Sequence, residues 1–248
     1  MRRAAYATFA TAIALAACDP ALIEPDLEPQ LGHVDGGEEQ LRTYRVTVYN
    51  LTSSQPLTPP LVATHNGDAR FFKVGHEASE GIRQIAENGN LGPLNEALMA
   101  DDNVGEVVIA VGDPPPLLQN ESITFEIQGD SDARFLSWVS MLICTNDGFT
   151  GRNRVRLPNQ VGQMRSAFAN AYDAGSEINT EDFADIVPPC QIFGATSSDD
   201  AGTGMSNPDL AENGRILPHR GITGGNDLDR ELHGWSNPTA KIEIERIS

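Results

Sequence analysis

Phe135-Leu136-Ser137-Trp138-Val139-Ser140-Met141-Leu142-Ile143-Cys144 carries no charge, and Thr145-Asn146-Asp147-Gly148-Phe149-Thr150-Gly151 follows it directly. Phe135–Ile143 is apolar at both odd and even positions, which fits a central strand covered on both faces. Further along, Tyr172-Asp173-Ala174-Gly175-Ser176-Glu177 repeats the chemistry of the first loop, with a carboxylate beside glycine just past a strand-like run. Asp147, Asp173 and Glu177 then belong to two loops at one end of a β-sheet. Oxygen-rich loops of this kind suit a hard cation, calcium above all, which takes several side-chain and carbonyl oxygens. The plainer alternative is that acids beside glycine only cap turns.

Outward from this stretch the chain reads mostly as strands. In Tyr44-Arg45-Val46-Thr47-Val48-Tyr49, residues Tyr44, Val46 and Val48 share one face, the alternation of a half-buried strand. Leu61–His65, Val104–Val111 and Ile123–Gln128 continue the pattern. Near the end, Ala240, Ile242 and Ile244 alternate with Lys241, Glu243 and Glu245. Two helices interrupt. Glu77–Glu87 places Ala78, Ile82, Ile85 and Ala86 on one stripe, with Gly89 to end it. Pro93–Met99 opens on proline, which suits a first turn. Many strands, few helices and frequent turn residues predict an all-β chain, an antiparallel β-sandwich with short helical insertions.

The chain has 248 residues, 40% of them hydrophobic, enough to bury a substantial core in one domain. Seventeen Lys and Arg against 35 Asp and Glu give a net charge of −18. That balance argues against nucleic acid, which needs clustered cations, and against simple attraction to anionic lipid.

Arg2 and Arg3 precede an apolar, small-residue run from Ala4 to Ala17, and Leu15-Ala16-Ala17-Cys18 matches the bacterial lipobox. Residues 1–17 read as a lipoprotein signal peptide, too short to span a bilayer usefully. Cys18 would carry the acyl chains. Residues 18–42, with alternating prolines and acids and then Gly36-Gly37, read as a disordered tether. The folded domain is expected over 43–248, in the cell envelope, anchored through lipid alone to the outer membrane, the surface or the periplasmic face of the inner membrane.

Asn50-Leu51-Thr52 with Gln55-Pro56 and Thr64-His65, the Thr145–Phe149 loop with Gly151, and Tyr172–Asn179 together resemble the spondin N-terminal domain family, particularly its bacterial lipoprotein members. His219-Arg220-Gly221, Asp227-Leu228 and Trp235-Ser236-Asn237-Pro238 fit the same likeness. The resemblance implies a sandwich of about eight strands holding a calcium ion. It maps the family's metal acids onto Asp147, Asp173 and Glu177, the last a glutamate where animal members have aspartate. It implies no catalytic role for His65 or His219.

With Cys18 lipidated, Cys144 and Cys190 remain as an even pair in an oxidising compartment. They are either a disulfide or two buried thiols; bacterial members tend to pair the second with a cysteine near Phe183, where this chain has phenylalanine. No Gly-x-Ser-x-Gly elbow or His-Glu-x-x-His helix is present. Gly221–Gly225 does not lead from a strand into a helix, so it is not expected to cradle phosphate. The expectation is a non-enzymatic recognition or adhesion module with a protein or glycan ligand. Purely structural calcium and an uncharacterised hydrolase are the alternatives.

Overall fold

The computed structural model describes residues 41–188, 190 and 202–248. The predicted signal peptide, the lipidated Cys18 and the tether up to residue 40 lie outside the described residues. Among these residues no helix is long and apolar enough to cross a membrane.

Strand β1 (Arg42–Asn50) buries Tyr44, Val46 and Val48 completely, as its alternation predicts. It lies between β4 (Ser122–Gly129) and β10 (Ala240–Arg246), with β7 (Met164–Ala169) beyond β10. Every pairing in this four-stranded sheet is antiparallel. The second sheet runs β3 (Val104–Ile109), β2 (Leu61–His65), β5 (Phe135–Met141), β6 (Gly148–Arg156), β8 (Ala171–Asp173), β9 (Leu217–Pro218), again antiparallel throughout. Eight of the strands have five residues or more; β8 and β9 are short additions beside the candidate metal loops.

β5 is central, as its sequence requires, and its two faces serve different cores. Leu136 and Trp138 join Val46, Val48, Ile242 and Ile244 between the sheets. Val139 and Met141 face the other way, onto Ile82, Ile85, Leu94 and Leu98. Those four belong to α1 (Glu80–Asn88) and α2 (Gly92–Met99), which cover the outer side of the six-stranded sheet. α1 starts later than Glu77 because the Ser79 side chain caps it, accepting from the Ile82 N–H at 3.3 Å. Gly89 ends it in the left-handed conformation at φ +65°, as expected. Trp138 is fully buried. Its truncation to alanine would cost roughly 3–5 kcal/mol through lost burial and the cavity left behind.

Candidate metal centre

The loop after β5 is rooted before it turns. Thr145 Oγ1 donates to Leu142 O at 2.6 Å and accepts from the Gly148 N–H at 2.9 Å. A Cβ on Gly148 would collide with the Thr145 side chain, so glycine is required there. Cys144 is joined to Cys190, Cα to Cα 5.0 Å, which ties the root of the loop to the segment beyond Glu177. Asn146 extends sideways, donating to Thr180 Oγ1 at 3.0 Å and accepting from the Glu181 N–H at 3.2 Å.

β6 and β8 then set the acids against each other. Gly148 pairs with Asp173, and the Ala174 N–H donates to the Asp147 carbonyl at 3.1 Å. The Asp147 carboxylate is fully buried. Its Oδ2 accepts from the N–H groups of Ser176 and Glu177, at 2.7 and 3.1 Å. Its Oδ1 is buried with no hydrogen-bond partner among the described residues. Burial, then the nearby Asp173 charge, push Asp147 up to about 7 against those N–H bonds.

The half-buried Asp173 accepts from the Gly175 N–H and from Asn179 Nδ2, both at 2.8 Å. Glu177 meets Asp147 through its backbone N–H. Its own Oε1 accepts from the Asn207 N–H at 2.9 Å. Burial raises Glu177 to about 7; that N–H bond opposes the rise, and the charges of Glu87, Asp147 and Asp185 add to it. The structure therefore sets the charges of Asp147 and Asp173 against one another and gives Glu177 a carboxylate socket of its own. Among the described residues no group of three His, Cys, Asp or Glu side chains is arranged to hold a metal ion.

The donors present nevertheless suit a hard cation. They are oxygens only, and a buried, unpartnered carboxylate oxygen is costly unless something positive meets it. Asp147 and Asp173 would hold calcium, which would supply the charge neutralisation those acids lack.

Two supporting residues were given no role by the sequence: Gln55, which figured only in the family likeness, and Glu181. Gln55, fully buried, bonds to the backbone of Cys144 and to His233 O. Glu181, in the left-handed conformation, accepts from the N–H groups of Thr223, Gly224 and Gly225 and from the Thr223 hydroxyl. Burial raises the Glu181 pKa, but these bonds outweigh it and hold the carboxyl below its ordinary range. Gly221–Gly225 is thus an anion cradle occupied by the chain's own glutamate. No local signal announces their roles, since Cys144 and His233 for Gln55 and Thr223–Gly225 for Glu181 are remote in sequence.

The histidines separate. His65 is fully buried, with Nε2 2.8 Å from Ser137 Oγ and no partner on Nδ1 among the described residues. Burial, then the Arg154 charge, lower its pKa to about 4. The His65 and Ser137 side chains are both fully buried, so the pair fastens β2 to β5. His219 lies beside Asp173, at the rim of a cleft of about 430 Å³.

A two-sheet antiparallel sandwich with acid-bearing glycine loops at one end defines an all-β sandwich domain. A sequence model of the Spondin_N family matches residues 49–181, more than half of the chain, and spans Asp147, Asp173 and Glu177. The chain belongs to the spondin N-terminal domain family. The match stops short of His219–Pro238. No curated protein matches the chain.

Proposed function

We propose that this chain is an exported lipoprotein of the cell envelope, anchored through Cys18, whose spondin-type domain binds calcium and acts as a recognition or adhesion module. The buried, unpartnered Oδ1 of Asp147 beside Asp173 carries this reading. Calcium would meet that oxygen and relieve the repulsion between Asp147 and Asp173, with loop carbonyls and water completing its shell. The lipobox and the acidic, proline-rich segment after it support the anchor and tether. The test is calcium titration of the full chain, purified in detergent, by calorimetry. One tight site is expected, weakened at least about tenfold in Asp173→Asn because a neutral amide attracts a divalent ion far less. Equal heats from both proteins would remove Asp173 from the site.

A second reading makes calcium purely architectural. It is favoured by Asp147 Oδ2, which already fastens the Ser176–Glu177 turn. Chelation that lowers the melting temperature while leaving ligand binding intact would select it.

A further inference from the structure

Three features of the C-terminal loops lie outside the calcium reading. First, Arg220 and Arg230 are exposed, and neither forms an ion pair among the described residues, although the chain carries twice as many acids as bases. Second, these arginines flank Trp235 in a cleft of about 330 Å³ rimmed by Ser53, Glu231 and Ser236. Third, Arg220 and Gly221 also line the 430 Å³ cleft that reaches Asp173 and His219, so the two hollows meet.

His219 lines the larger cleft, next to the shared Arg220 and Gly221. The Gly221 N–H donates to its Nδ1 at 3.0 Å, which makes Nδ1 the acceptor and leaves the ring proton on Nε2. That Nε2–H is buried and has no acceptor among the described residues. The ring packs edge-on to Trp235, centroids 4.9 Å apart. A half-buried indole and two guanidinium groups with no ion pair among the described residues thus line the 330 Å³ cleft together with the Glu231 carboxylate, whereas Asp173, Glu181 and Glu212 line the adjoining one.

We propose that this groove binds an acidic polysaccharide, with sugar carboxylates read by Arg220 and Arg230 and one sugar face laid against Trp235. The inference rests on the reading of the domain as a recognition module and supplies its ligand class. Guanidinium pairs with planar carboxylate in two-pronged fashion, which selects uronic acids over neutral sugars. The hydroxyls of Ser53 and Ser236 and the Glu231 carboxylate match sugar hydroxyls around such an acid. An acidic peptide would also pair with such arginines and is separated from the sugar by the tetraglutamate arm below, but a peptide that gains affinity by strand addition needs a free edge. Here the edge strand β9 contains Pro218, which has no N–H to offer.

The experiment is calorimetry on the full chain in detergent, with tetragalacturonate, neutral galactotetraose and tetraglutamate as probes, each in calcium and in chelator. Tetragalacturonate alone is expected to bind. Arg220→Glu and Arg230→Glu should each weaken it roughly tenfold or more, as expected for losing a charge-assisted pair. Trp235→Phe should retain binding better than Trp235→Ala, and Arg70→Glu, an exposed arginine outside both clefts, should leave it unchanged. Undiminished binding by the Arg220→Glu/Arg230→Glu double variant would overturn the proposal, as would equal binding of tetraglutamate or no binding of tetragalacturonate. Sugar binding without any calcium heat would sink the metal reading alone. A calcium heat without sugar binding would sink this one alone.

Discussion

The Gln55 side chain grips Cys144 by both backbone groups: Nε2 donates to the Cys144 carbonyl at 3.1 Å, and Oε1 accepts from the Cys144 N–H at 3.0 Å. The same Nε2 donates to His233 O at 2.7 Å. One amide therefore fixes the root of the Asp147 loop to the segment that leads into Trp235. Asn50 and Thr52 complete the knot, both bonding to the Gln55 carbonyl.

Replacing Gln55 by methionine keeps the length of the side chain but leaves buried backbone groups unpaired. Three such groups at about 1 kcal/mol or more each give an expected loss of at least about 3 kcal/mol. Denaturant unfolding measures this, and calcium affinity should fall with it. A variant as stable as the parent would show that Gln55 does not hold the loop.

Burial raises the Asp147 carboxyl from its ordinary 3.8 to about 7, with Asp173 adding to the rise. Such a group binds more protons folded than unfolded, so between the two values stability falls as pH increases. In chelator, the parent should lose a few kcal/mol relative to Asp147→Asn between about pH 4 and about pH 7, with the difference complete above that. Thermal melts of both proteins across pH check the sign. Parallel profiles would mean that Asp147 does not titrate in this window.

Cys144 and Cys190 close a loop with a sequence separation of 46. Chain-entropy reasoning predicts that Cys190→Ser destabilises by about 4 kcal/mol. The variant should also respond to reductant no further, whereas the parent should lose stability on reduction. Equal stability of parent and variant in oxidising buffer would contradict this.

Gly175 has φ +67°, and a Cβ there would meet Arg215 N at 2.5 Å. Gly175→Ala combines left-handed strain with a backbone clash, and about 2–4 kcal/mol of lost stability is expected. Because Gly175 sets the turn that offers the Ser176 N–H to Asp147, calcium titration should show weaker binding even where the variant remains folded.

β1, β5 and β10 were legible because each buries its apolar residues on the schedule its pattern dictates. β6 and β7 were not. Outward residues Arg152, Arg154 and Arg156 interrupt β6, where a Cβ on Gly151 would also strike the Trp138 backbone, and in β7 the part-buried Arg165 stands on the inward face while Met164 and Phe168 are exposed. At the site, glycine neighbours betrayed Asp147 and Asp173. The Glu177 carboxylate is governed by Asn207, and the Glu181 cradle by Thr223–Gly225. Neither relation leaves any mark on the local sequence, because both depend on loops that meet only after the sheets have formed.

β1 lies between β4 and β10, bonded along nearly its whole length, and its far end enters the Gln55 knot. Tension arriving through the chain before Arg42 and resisted at the Asp147 end would pull along the strand axis. Both ladders would then be sheared at once, with no single bond exposed to peel first. A strand held this way resists force along its axis far better than force that peels it from one end.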